Sequence, residues 1–164
     1  MIIVADSAPL HYLILLDLQD LLPQLYGDVL VPTAVVSELS SAGAPKKVRE
    51  WLGAVPAWLQ IKSVPPEHTA MVSDELDPGE REAIALARIV SADLLLIDES
   101  DGRREARRLS LHVTGTLGVL RAAAELALID VPVVVGDLRT TNFYFDENLI
   151  RSTFGECSAD GARV

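Results

Sequence analysis

The sequence predicts a doubly wound α/β fold, and three observations predict it. Short, continuous apolar runs recur along the chain, of the kind that buried parallel strands require. Helical patterns separate these runs, as crossovers between parallel strands demand. Two of the runs end on an aspartate, Asp6 after Ile2 to Ala5 and Asp98 after Leu94-Leu95-Leu96-Ile97. In a doubly wound sheet, ligands sit beyond those carboxyl ends.

Ile2 to Ala5 reads as the first strand, ended by Asp6-Ser7-Ala8-Pro9. The Leu-rich stretch Pro9 to Tyr26 reads as two short helices. Gly27-Asp28 is a turn, Val29 to Val31 a second strand, and Pro32 opens a helix carrying Val35, Val36 and Leu39. Lys46 to Leu52 is helical, and Leu59 to Val64 a third strand closed by Pro65-Pro66. Asp77-Pro78-Gly79 leads into a helix over Glu80 to Val90, with proline just inside the start. Ala92 to Ile97 is a strand, Glu99 to Leu109 an Arg-rich helix, Leu111 to Val113 a short strand, and Gly115 to Leu126 a helix. Segments near Asp137 and over Asp146 to Phe154 close a single domain spanning residues 1–154. Residues 155–164 read as a flexible tail.

The 164 residues suit one domain, and 49% hydrophobic content is enough for a full core. The longest apolar runs, such as Leu13 to Leu16, are too short to cross a bilayer. Met1-Ile2-Ile3-Val4 has no basic leader, so no signal peptide is expected. The one cysteine, Cys157, has no internal disulfide partner, and a reducing cytoplasm is the expected setting. A net charge of −10 argues against a passive nucleic-acid binder. It does not argue against an enzyme that gathers carboxylates around a cation, since the ion reverses the local sign.

Asp6, Glu38, Glu80 and Asp98 are the candidate catalytic and metal-ligating residues. Asp6 and Asp98 end strands, Glu38 lies in the helix opened by Pro32, and Glu80 begins a helix. Converging carboxylates repel one another, and a divalent cation relieves the repulsion. Mg²⁺ prefers oxygen ligands and keeps waters from which a nucleophile can come, the chemistry of phosphodiester hydrolysis. Each residue also has a plainer reading, as a helix cap, a solvated helix residue or a dipole partner. Glu82 competes with Glu80. On a helical wheel Arg81 and Arg88 form the solvent stripe and both glutamates flank the apolar face, so periodicity does not choose between them. Asp101 is an additional candidate ligand, with a surface role in a polar first turn as its alternative. Ser7 and Thr116 read equally as groups positioning water or phosphate and as helix caps.

Asp6-Ser7-Ala8-Pro9-Leu10 resembles the opening motif of a branch of PIN domains, the nuclease family that includes VapC toxins. Val31-Pro32 with Val35, Glu38 and Leu39 is similar to that family's second motif, and Gly79-Glu80 with Glu82 to Ala87 to its third. Leu95-Leu96-Ile97-Asp98 followed by Arg103 resembles the fourth, and Val113 to Leu120 is similar to the branch's closing motif. The resemblance runs in order from residue 3 to about residue 150. It implies a three-layer α/β/α fold with a parallel sheet of about five strands, and an Mg²⁺- or Mn²⁺-dependent endoribonuclease held by Asp6, Glu38, Glu80 and Asp98. It favours Glu80 over Glu82, although many relatives carry Asp at that place. It further implies the toxin of a toxin–antitoxin pair, with RNA as substrate, an antitoxin as partner and a homodimer as the expected assembly. A housekeeping RNA-processing nuclease and an inactive scaffold are the alternatives.

Arg103, Arg104, Arg107 and Arg108 form a basic band on one helix, in a chain with only the lysines Lys46, Lys47 and Lys62. Arginine grips phosphate with two parallel hydrogen bonds. The reading favours a phosphate-binding role for Arg103, close after Asp98, and a solvated, acid-paired role for Arg108. His11, His68 and His112 show no metal-ligand spacing. Trp51 and Trp58 read as packing residues. A basic inhibitor peptide is expected to enter the acidic pocket, its apolar anchors lying in a groove lined by Leu10 to Leu22. Other nucleotide and phosphate folds fit less well. There is no Gly-rich turn after the first strand, no lysine after Lys62 to serve a phospho-receiver site, and Ala8 stands where a dehalogenase-like phosphatase needs a second aspartate.

Overall fold

The structure is a computed structural model, described for residues 1–155. The expected tail, with Cys157, lies outside the described residues from residue 156 onward. Five parallel strands, β1 (Ile3–Ala5), β2 (Val29–Pro32), β3 (Leu59–Lys62), β4 (Leu94–Leu96) and β5 (Val113–Thr114), form one sheet in the order β3-β2-β1-β4-β5. The register aligns Ala5 with Leu96 and Leu96 with Thr114, so the strands finish along one edge. The chain winds outward from β1 through β2 to β3, then returns to the other side of β1 for β4 and β5. The reversal falls between β1 and β4, where doubly wound sheets open a ligand crevice.

Alternation along the strands assigns each residue to a face, and both faces are covered. Ile3, Ala5, Val29, Val31 and Leu96 point into one core, with Leu10 and Leu13 of α1 (Ser7–Leu15), Leu22 of α2 (Leu21–Tyr26) and Val35 of α3 (Thr33–Leu39). Val48 of α4 (Lys46–Leu52), Leu120 of α8 (Thr116–Glu125) and Leu138 of α9 (Val131–Leu138) complete that layer. Val4, Leu95 and Ile97 point the other way, onto Ala83, Ile84 and Ala87 of α6 (Pro78–Ile89) and Ala106 of α7 (Ser100–Arg108). Each fully buried Leu or Ile contributes about 1.5–3 kcal/mol of transfer free energy, which is why the strands carry apolar residues without polar breaks. The three-layer arrangement and the five strands agree with the sequence expectation.

Three local features differ from it. A short helix, α5 (Pro66–Thr69), follows Pro65-Pro66, because proline at a helix start costs no hydrogen bond. The fifth strand sits later than Leu111 to Val113, since Leu95 and Ile97 donate to the carbonyls of His112 and Thr114. Arg81 is not a free solvent residue: it is partly buried and donates to the Thr69 carbonyl at 3.1 Å, tying α5 to α6. α10 (Glu147–Phe154) closes the described chain. In the segment Leu10 to Leu22, expected to line an apolar groove, Leu10, Leu13, Leu21 and Leu22 are in the core, while Leu15, Leu16 and Leu18 are partly buried. Trp51 and Trp58 pack against each other, 5.9 Å between ring centres. No described helix is long and apolar enough to cross a membrane.

Candidate active site

The carboxyl edge of β1 places Asp6 first. Its backbone N–H donates to the Leu96 carbonyl at 2.9 Å, locking it between the two central strands. Asp6 occupies the N-cap position of α1, yet its carboxylate makes no capping bond. It is 1% exposed, and its Oδ1 has no hydrogen-bond partner. Ordinary helix capping therefore does not account for it. Burial pushes its pKa well above the usual carboxylate range; a hydrogen bond from the Ser7 backbone opposes the rise, and the charges of Asp77, Glu80 and Glu38 add to it.

Glu80 is held from behind. Asp77 and Glu80 form a capping box: Asp77 Oδ1 accepts from the Glu80 N–H at 2.9 Å, and Glu80 Oε2 accepts from the Asp77 N–H at 3.3 Å. That leaves Glu80 Oε1 buried and without a partner. Burial, then Asp77, Glu99 and Glu38, push its pKa up to about 7. Glu38, from α3, accepts the Gly79 N–H at 2.8 Å and a hydrogen bond from the Ser7 hydroxyl. Its pKa is raised by burial and by the carboxylates of Asp77 and Glu82. Asp6, Glu38 and Glu80 thus share one charged cluster, together with Asp77. The sequence hid Asp77, because Asp-Pro-Gly-Glu reads fully as a turn and cap.

Asp98 stands beyond β4 in a clamp of its own. Thr116 donates to it twice, from its N–H to Oδ1 and from its hydroxyl to Oδ2, both at 2.7 Å. Burial raises the Asp98 pKa, while Thr116 and the neighbouring Arg103 oppose the rise. Thr116 is fully buried, so it positions Asp98 and does not line the mouth of the site.

Glu82 is close enough to raise the Glu38 pKa, but one of its oxygens is engaged by α3. Its Oε2 accepts from the Ala34 N–H at 3.0 Å and the Thr33 hydroxyl at 3.4 Å, anchoring the start of α3 to α6. Glu82→Gln is accordingly expected to cost about 0.5–1.5 kcal/mol of stability and to leave Mn²⁺ affinity near wild type. Glu80→Gln should weaken Mn²⁺ binding at least about ten-fold with the fold intact. Calorimetry giving the reverse order would move the ligand to Glu82.

Among the described residues no group of three or more Asp, Glu, His or Cys side chains is already drawn together as a metal-holding set. The fit to a cation rests on something else. Two buried carboxylate oxygens, Asp6 Oδ1 and Glu80 Oε1, lack any donor inside a cluster whose like charges repel. An all-oxygen donor set of this kind suits a hard divalent ion.

A family model described as a PIN domain, DUF3368, matches residues 2–158. The chain belongs to the PIN-domain family. PIN domains are generally nucleases and usually use divalent metals. No protein of curated function matches the chain.

In this PIN domain the arginine band divides. Arg104 pairs with Asp101 at 2.8 Å, and both are exposed, so the structure does not bring Asp101 to the acidic cluster. Arg108 grips the buried Glu105 with two bonds of 2.7 Å, and Glu105 also accepts the Ser73 N–H. Arg108 holds the Glu105 carboxyl down at a pKa of about 2, so this pair pins the loop before α6 to α7. Arg103 and Arg107 turn the other way. Arg103 Nη1 donates to the Ile97 carbonyl at 3.2 Å, beside Asp98. With Arg107 and Arg121 it lines a cleft of about 820 Å³ that opens from Asp98. A smaller cleft of about 310 Å³ lies on the other side, against Ser7, His11 and Glu38. Tyr12 and Asn142 line both, joined by a 3.0 Å bond from the Tyr12 hydroxyl to Asn142 Oδ1. Sequence spacing gave no sign of either residue, since they lie 130 positions apart.

Proposed function

We propose that this PIN domain is an Mg²⁺- or Mn²⁺-dependent endoribonuclease, with Asp6, Glu38, Glu80 and Asp98 holding the ion. The observation that carries the reading is the pair of orphaned, buried oxygens of Asp6 and Glu80 within a cluster of raised carboxylate pKa. Groups perturbed by burial and by one another in a cleft are where catalytic chemistry concentrates. When bound, the ion supplies Lewis-acid polarisation of the phosphoryl oxygens and acidifies water. The chain's own residues do the rest. Ser7 and the Gly79 N–H fix Glu38, the Asp77 N–H fixes one oxygen of Glu80 and leaves the other free, and Thr116 fixes both oxygens of Asp98. Arg103 stands where a phosphate next to Asp98 would meet it.

Proton release accompanies ion uptake, because Glu80 and Asp6 hold protons above the usual carboxylate range. Between the ordinary glutamate pKa of 4.5 and about 7, the raised carboxyls of the cluster therefore hold more protons in the folded protein than in the unfolded chain, against the opposite effect of the His11 imidazole, whose pKa burial lowers. Stability of the ion-free protein falls as pH rises through that window. Melting in EDTA should show Tm dropping from about pH 5 to about pH 8, while the rise in Tm produced by Mn²⁺ grows over the same range. A Tm in EDTA that climbs through this window would contradict the account of the cluster.

A free ribonuclease needs restraint, and the proposed setting is a toxin–antitoxin pair, with homodimerisation as the accompanying expectation. The net charge of −10 favours a basic inhibitor segment, whose Arg or Lys would enter the acidic cluster in place of the ion. The test is expression of the chain alone, then with the protein of the adjoining small gene. Growth arrest relieved by a co-purifying partner supports the pairing. Unimpaired growth with no co-purifying protein rejects it in favour of a housekeeping nuclease. Failure of the purified chain to cleave RNA in Mn²⁺ rejects the ribonuclease reading itself.

A further inference from the structure

The large cleft beside Asp98 carries both signs of charge. Asp98 and Glu99 line it together with Arg103, Arg107 and Arg121, among apolar residues such as Leu117, Phe143 and Leu149. In a chain of net charge −10 such a concentration of guanidinium groups is out of proportion to the surface as a whole. Arg107 is exposed and has no ion-pair partner among the described residues, while Arg104 and Arg108 on the same helix, and Arg121 on α8, are each paired with an acid. Burial lowers the Arg103 pKa and the like charge of Arg107 adds to this, while Asp98 opposes both. Two cations sharing a cleft wall are relieved by an anion between them. On the same cleft lies Tyr144, 90% exposed. A large ring left in water at the lip of a cationic groove is the arrangement that single-stranded nucleic acid binders use to stack bases. The cleft volume of about 820 Å³ is ample for one nucleotide.

The geometry points to a nucleotide subsite in this cleft, in which Arg107 holds the phosphate flanking the scissile one and Tyr144 stacks an unpaired base. The subsite rests on the ribonuclease reading for its position next to the scissile phosphate, but it is tested by binding alone. The subsite fixes the side of the acidic cluster on which the strand is gripped. It also selects against a paired base, whose faces are already covered by its neighbours.

The probe is a fluorescein-labelled oligouridine of eight nucleotides, titrated into the full chain in EDTA over a salt series. Tyr144→Ala should weaken binding about ten-fold with an unchanged salt slope, and Tyr144→Phe should restore it, because the ring and not the hydroxyl stacks. Arg107→Ala should weaken binding about five-fold and flatten the salt slope by about 0.7, one released counterion fewer. Arg88→Ala, the same charge change at the far end of α6, serves as the control for net charge. If Tyr144→Ala and Arg107→Ala both behave like Arg88→Ala, the subsite is overturned. Absence of oligouridine binding by the wild type overturns it as well. So does a polyglutamate peptide that competes equally well and is indifferent to Tyr144→Ala, which would give the cleft to a protein partner. Cleavage of the same oligonucleotide in Mn²⁺ is read separately. Cleavage with no Tyr144 or Arg107 effect removes the subsite and leaves the nuclease, whereas both effects without cleavage remove the nuclease and leave the subsite.

Discussion

Asp6→Asn is expected to lower Mn²⁺-dependent RNA cleavage at least about 100-fold while making the ion-free protein more stable. The two effects have one cause. Asp6 is buried between β1 and β4 with an unpartnered oxygen, and Asp77, Glu80 and Glu38 all act on it as like charges. The neutral amide removes both the desolvation penalty of a charged form and that repulsion. A gain of about 1 kcal/mol would raise Tm by roughly 2–4 °C in a chain of this size. Asp98→Asn should behave differently. It too should lose activity, but the amide cannot accept both Thr116 bonds, and a missing acceptor facing a buried hydroxyl costs about 1–3 kcal/mol. Melting curves in EDTA, paired with cleavage assays, separate the two variants. A destabilised Asp6→Asn would mean that the Ser7 backbone bond to the Asp6 carboxylate outweighs the relief of charge, and that the group is structural and not held for an ion.

Gly79→Ala carries the second large effect, and here local and tertiary reasoning oppose each other. Gly79 is the second residue of α6; replacing a glycine by alanine gains about 0.5–1 kcal/mol in a helix interior and less in the first turn. In the folded protein an added Cβ would fall 2.5 Å from both oxygens of Glu38, which also accepts the Gly79 N–H. The Glu38 carboxylate is the end of a flexible side chain, so it can swing away at little cost in stability. It cannot swing away and stay in the cluster. The variant should melt within about 1 kcal/mol of wild type and lose at least about ten-fold in Mn²⁺ affinity and cleavage. Wild-type Mn²⁺ affinity in Gly79→Ala would remove Glu38 from the proposed ligand set.

Much of this site is legible in the chain because strand ends are legible. Asp6 and Asp98 close apolar runs, and the parallel sheet brings those ends to one edge. Local pattern fails where a side chain's role is decided by a neighbour distant in sequence. The wheel left Glu80 and Glu82 equivalent. They are separated by the N-terminus of α3, nearly fifty residues away, whose Ala34 N–H engages Glu82. Asp77 satisfied a capping signature and so gave no hint that its charge also acts on Asp6. Thr116 read equally as a cap or a mouth residue, and only its two bonds to Asp98 choose a third role. The arginine band was more readable than its uniform appearance suggests. Asp101 to Arg104 and Glu105 to Arg108 are both i, i+3 spacings, and both pairs form. What remains, Arg103 and Arg107, is what faces the cleft. In Leu10 to Leu22 leucine density suggests a groove for a partner, whereas the sheet face takes Leu10, Leu13, Leu21 and Leu22 as core and leaves Leu15, Leu16 and Leu18 partly buried.

The acidic cluster around Asp6 is proposed as a divalent-cation site that drives RNA hydrolysis. The most direct measurement is cleavage of a labelled single-stranded RNA by the purified chain, with Mn²⁺ and with EDTA, beside Asp6→Asn at the same concentration. The account predicts cleavage by the wild type in Mn²⁺, none in EDTA, and a loss of at least about 100-fold in Asp6→Asn. Equal cleavage by Asp6→Asn, or by the wild type in EDTA, would contradict it.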